Sequence, residues 1–162
     1  MKSIILVLTV GGVSQNAILK TNDDGSHQRF TIMQVQKPAG LSSDAFPFRY
    51  GDVYNIQDLL EQIAMLGAQG HLTITGIYKE DATGKTDLST IMPVIKKVQI
   101  TVTNAGATLK IDGVTQPGLS WVGYLHKGES VTYSAELEGY TTDTDTLTVN
   151  TSDITKSITL TT

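Results

Sequence analysis

A chain of 162 residues, 40% hydrophobic and 17% charged, with a formal net charge of −4, has room for one ordinary domain or two small ones with a largely neutral polar surface. The acidic balance excludes the basic footprint of a nucleic-acid binder. With 0 cysteines, disulfides, thiolate zinc sites and a cysteine nucleophile are excluded as well.

In chain order, the apolar run Ile4–Val10 follows a single Lys2. It is short for a signal peptide and no small-residue cleavage pattern follows. It is also far below the ~20 apolar residues that cross a bilayer. The reading is a strand over Ser3–Val10, buried on both faces, with neither an export signal nor a membrane span. Residues 11–28 carry Gly-Gly and Asp-Gly turn signals around a short apolar piece. "RFTIMQVQ" (29–36) alternates as a strand with Phe30 and Ile32 on one side. The Pro-containing stretch Lys37–Asp52 is a long loop. Its Phe46, Phe48 and Tyr50 are spaced by two and form a candidate docking arm, since alternate aromatics can fill pockets on a partner or a neighbouring subunit.

The one clear helix is "YNIQDLLEQIAMLG". Asn55 is placed to cap it, Asp58 sits at N3, and Gly67 is read as the left-handed residue that ends it. Ile56, Leu59, Leu60, Ile63 and Leu66 share one face at about 100° per residue. This stripe exceeds what one small sheet face needs and makes helix 56–66 a candidate for subunit packing. Met65 falls on the opposite side as a candidate subunit contact. "HLTITGIYK" (71–79) reads as a strand, "EDATGKTDLS" as a loop, and Pro93 as a joint.

From about residue 96 the period becomes two. Val98, Ile100 and Val102 alternate with polar residues, as do Leu109 with Ile111, Val131 with Tyr133, and Leu147 with Val149. Short strands with one wet face, parted by Asp-Gly, Lys-Gly-Glu and Glu-Gly turns, indicate an antiparallel β-sandwich. The fold class is therefore mainly β with one helix: an N-terminal α+β domain over 1–95 and a small β-sandwich over 96–162.

"TVTNAGATLKIDGVTQ", "HKGESVTYSAELEGYTTDTDTLTV" and "SITLTT" together resemble the PEGA-like, carbohydrate-binding-like group of immunoglobulin-type modules. The shared pattern is the A-T-L-K-I-D-G hairpin, a Lys-Gly turn into V-T-Y-S-A, and the Gly139-Tyr140 pair. It covers residues 97–162 and departs in the longer, more aromatic "QPGLSWVGYLH". The resemblance implies an Ig-like sandwich of the sort appended to surface proteins and phage virion proteins as spacer, decoration or adhesive tip.

No catalytic constellation is present in the sequence. His27, His71 and His126 lack metal spacing. "TNDDG" (21–25) and "TDTDT" (142–146) do not complete a calcium loop. Gly84-Lys85-Thr86 lacks the first glycine of a P-loop. The chain is accordingly expected to be a non-enzymatic virion protein without cofactor or metal, a bacteriophage head fibre or capsid decoration on the particle exterior. Its N-terminal half anchors or oligomerises as a dimer or trimer on capsid or other virion proteins, and its sandwich projects. The rival expectation is a carbohydrate-binding module whose Trp121 and Tyr124 stack on a host surface glycan.

Overall fold

The computed structural model describes residues 2–10, 13–22 and 29–162. His27 and most of the 21–25 stretch lie outside them. The chain divides into two compact units, Met1–Pro93 and Val94–Thr162, mainly β with a single α-helix among the described residues.

In the first unit, β1 (Lys2–Val10), β2 (Val13–Thr21), β3 (Phe30–Gln36), β4 (Val53–Tyr54), β5 (Thr73–Asp81) and β6 (Gly84–Asp87) form one antiparallel sheet. Its order is β4-β3-β2-β1-β5-β6. Ile4, Leu19 and Ile77 lie in the core of this unit, while Ile5, Val7 and Ile18 are half-buried. Among the described side chains of β1, Ile4 is buried and Ile5 and Val7 are half-buried. Helix α1 (Ile56–Ala68) is capped by Asn55, whose Oδ1 accepts from Asp58 N–H at 2.7 Å while its Nδ2 donates to Asp58 Oδ2 at 2.8 Å.

The helix ends later than its sequence suggests. Gly67 remains helical, and the left-handed residue is Gly70, at φ 78°. The N–H of Gly70 reaches Gly67 O and that of His71 reaches Leu66 O, both at 3.0 Å. These bonds satisfy the last carbonyls as a Schellman motif.

Two sequence expectations change here. The helix stripe Leu59, Leu60, Ile63 and Leu66 is spent in the chain's own core, so it is not a free subunit-packing face. The loop 37–52 also turns inward. Ser42 accepts from Ala45 N–H through Oγ and from Phe46 N–H through its carbonyl, each at 3.1 Å. This single turn directs the following aromatics under the sheet. Phe46 and Phe48 are only 2% and 4% exposed. They pack edge to face at 5.0 Å between centroids, and Phe48 meets Tyr54 at 6.0 Å.

In the second unit, β7 (Ile95–Val102) is flanked by β10 (Ser120–His126) and β13 (Ile154–Ile158). A second sheet runs β12 (Asp143–Thr148), β11 (Ser130–Glu136), β8 (Thr108–Ile111), β9 (Val114–Thr115). One apolar cluster draws on both sheets, with Val98, Ile100 and Ile158 from one and Leu109, Val131 and Tyr133 from the other. All pairs are antiparallel except β13 with β7, which is parallel. The β8–β9 turn has Asp112 at φ 48° and Gly113 at φ 80°, the pair of positive values a type I′ hairpin requires. Asp112 is further tied to β11: its N–H donates to Thr132 O and its Oδ1 accepts from Thr132 N–H, both at 2.8 Å. Asn104 acts as a substitute strand, its side chain taking Leu160 N–H at 2.7 Å and giving to Leu160 O at 3.2 Å.

Candidate functional site

Strand β10 holds the aromatics that the sequence singles out. Side chains alternate across a strand, and its register sets Trp121 beside Ile100, Gly123 beside Val98, and Tyr124 beside Lys97. Ile100 and Val98 are core residues. Trp121, Gly123 and Leu125 therefore face the core side, and Ser120, Val122 and Tyr124 the other. Trp121 packs partly buried against the core cluster. Its indole lies across Gly123, where an added Cβ would sit 2.2 Å from Trp121 Cη2. Trp121 and Tyr124 thus share a strand and not a surface, so they form no common stacking platform. The odd separation in a strand was the signal for this.

Of the remaining candidates, Tyr50 is 71% exposed at the end of its loop and Met65 is half-buried on α1. Tyr50 is the one member of the proposed aromatic arm that solvent reaches. Gly84-Lys85-Thr86 belongs to the exposed edge strand β6, and Asp143–Thr146 lies within β12.

A polar cluster that the sequence did not single out closes one margin of the second unit. Tyr133 on β11 is fully buried, and its hydroxyl donates to Asp143 Oδ1 at 3.0 Å. Lys156 on β13 sits with Nζ 5.6 Å from the Tyr133 ring centroid, within cation–π range. Burial, then the hydrogen bond to Asp143 and its charge, push the phenol above its usual range against the lowering effect of Lys156. The Tyr133 hydroxyl, then Asp143 and Asp145, push the Lys156 ammonium up. A sealed phenol reaches no substrate, so this group works as a clasp that links β11 and β12 to β13.

The polar sides of the sheets are built from paired hydroxyls. Ser130 meets Thr148 at 2.8 Å and Thr132 meets Thr146 at 2.9 Å. On the other sheet Thr101 meets Ser120 at 3.2 Å, and just past the ends of β7 and β13 Thr103 meets Thr159 at 2.8 Å. Lys110 Nζ spans both Glu136 carboxylate oxygens at 2.8 and 2.9 Å, which holds that carboxyl below its usual range. A shallow depression beside it is lined by Gly106, Thr108, Glu136, Leu137, Glu138 and Thr142. Among the described residues, no group of three or more His, Cys, Asp or Glu is placed to hold a metal, and no helix is long and apolar enough to cross a membrane.

No family model matches the sequence, and no curated protein or solved structure matches the chain.

Proposed function

We propose that this chain is a non-enzymatic structural component of a bacteriophage particle, a head fibre or capsid-decorating appendage. In this reading the N-terminal unit anchors it and the C-terminal unit, an Ig-like sandwich, projects. The observation that carries the reading is the cross-strand pairing of hydroxyls on both sheets of the second unit. These side chains stabilise the sheets and present a neutral, self-satisfied exterior, as a spacer or decoration needs. The sequence resemblance to appended Ig-type modules points the same way. Within the N-terminal unit, Tyr50 is the exposed aromatic available to a capsid partner.

Density-gradient sedimentation of the source lysate, with mass spectrometry for this chain in each fraction, tests the reading. Co-migration with large particles, lost in an anchor variant such as Tyr50→Ala, is the expected result. A chain found only in the small soluble fractions overturns it. Glycan binding abolished by Trp121→Ala would install the carbohydrate-binding alternative instead.

A further inference from the structure

Each sheet has two margins, and five of the six described edge strands are guarded or short. β4 and β9 are two residues long. β6 carries Lys85 and Asp87, β12 carries Asp143 and Asp145, and β13 carries Lys156. Short length and charge are the usual protections against strand addition. β10 has neither: it is seven residues, SWVGYLH, with no charge from Ser120 to Leu125.

The hydrogen-bond parity of β10 is fixed at both ends. Val102 N–H donates to Leu119 O and Lys127 N–H donates to Val94 O, each at 2.8 Å. Odd-numbered residues therefore exchange bonds with β7, and the alternation of an antiparallel ladder turns the even-numbered ones outward. His126 agrees, its N–H taken by Glu129 Oε2 at 2.7 Å. This contact also closes the open stretch at its C-terminal end, and β10 begins at Ser120 on the other side. Between them the backbone groups of Ser120, Val122 and Tyr124 face away from the sheet, and Val122 is 44% exposed.

We propose that β10 pairs antiparallel with β10 of a second copy of this chain, about a two-fold axis at Val122. This register sets Val122 opposite its own counterpart, Tyr124 opposite Ser120, and Trp121 opposite Gly123. Tyr124 then meets the small Ser120, while each Trp121 indole already lies across the Gly123 of its own chain. No charges face one another across the axis. The outward N–H and C=O groups of Ser120, Val122 and Tyr124 all fall at hydrogen-bonded positions of the new ladder, and the two three-stranded sheets become one. The inference places self-association in the C-terminal unit and stands independently of the virion reading.

The test is sedimentation equilibrium of the full chain across micromolar to sub-millimolar concentration. Wild type forms dimers. Val122→Lys puts like charges at the axis, and Val122→Pro removes an outward N–H that β7 does not use. Both are monomeric, with thermal melts close to wild type because the residue is exposed and its backbone unpaired. Since the chain has 0 cysteines, Val122→Cys is a clean position probe. Hydrogen-bonded partners lie ~5.5 Å apart between Cα atoms, inside the disulfide range of about 4.4–6.8 Å. It therefore crosslinks to a covalent dimer on mild oxidation, while Val114→Cys, exposed elsewhere, does not. A monomeric wild type, a trimer, or a dimer unchanged in Val122→Lys overturns the proposal.

Discussion

Replacing Tyr133 with Phe removes one oxygen from a fully buried side chain and leaves the packing intact. The lost hydroxyl donates to Asp143 at 3.0 Å. A hydrogen bond to a charged group contributes ~1.5–3 kcal/mol. Asp143 is only half-buried, so water replaces part of the lost donor and a cost of about 1–2 kcal/mol follows. In a unit this small each kcal/mol moves Tm by ~4–8 °C, so the transition of the C-terminal unit drops by roughly 5–15 °C. Calorimetry of the full chain at neutral pH measures this. The alkaline limb gives a second readout. Tyr133 and Lys156 are both raised above their ordinary 10.0 and 10.5. Groups raised by folding contribute stability that is complete below the unfolded value and is lost as pH rises through the folded one. The wild type therefore weakens above pH ~10, and Tyr133→Phe weakens less steeply there. A Tyr133→Phe protein that melts with the wild type at neutral pH, with an identical alkaline limb, refutes the clasp.

The two glycines at the end of α1 should respond with opposite sign in denaturant melts. Gly70→Ala strains a residue at φ 78° and costs ~1–2 kcal/mol. Gly67→Ala fills a helical position whose nearest contacts would be an ordinary 3.9 Å, and it gains up to ~1 kcal/mol. Asn104→Ala strands the partly buried N–H and C=O of Leu160 and lowers stability by ~1–3 kcal/mol, with faster amide exchange at Leu160 as the local check. Phe48→Ala costs ~3–5 kcal/mol, whereas Tyr50→Ala leaves the melting temperature unchanged, and equal effects would contradict the inward turn of the loop. On the acid side, Glu136 is held low by Lys110 and then Ser134, Glu129 by the His126 N–H, and Asp87 by the Ser89 N–H. Depressed carboxylates contribute stability above their ordinary values of 4.5, 4.5 and 3.8 that is lost as pH falls through the folded ones. Glu136→Gln therefore flattens the acid limb of a Tm–pH profile.

What the sequence by itself determined is local. Alternation in VQITV and SVTYSAE marks β7 and β11, because a strand with one wet face has to repeat every two residues. Asn55 with Asp58 marks the start of α1, and Asp112-Gly113 marks a hairpin, because those side chains solve backbone problems within a few residues. The opposite facing of Trp121 and Tyr124 was legible in the same parity. What only the tertiary structure decided involves partners distant in sequence. The all-polar β6 shows no hydrophobic period and exists because β5 supplies its ladder. Phe46 and Phe48 are core and Tyr50 is surface because the turn at Ser42 and the core it leads into choose between them, although all three share one spacing. The parallel seating of β13 on β7, the Tyr133–Asp143–Lys156 clasp, and the unguarded edge of β10 each depend on which strands lie side by side. Periodicity reports how a strand is faced and is silent about its neighbours.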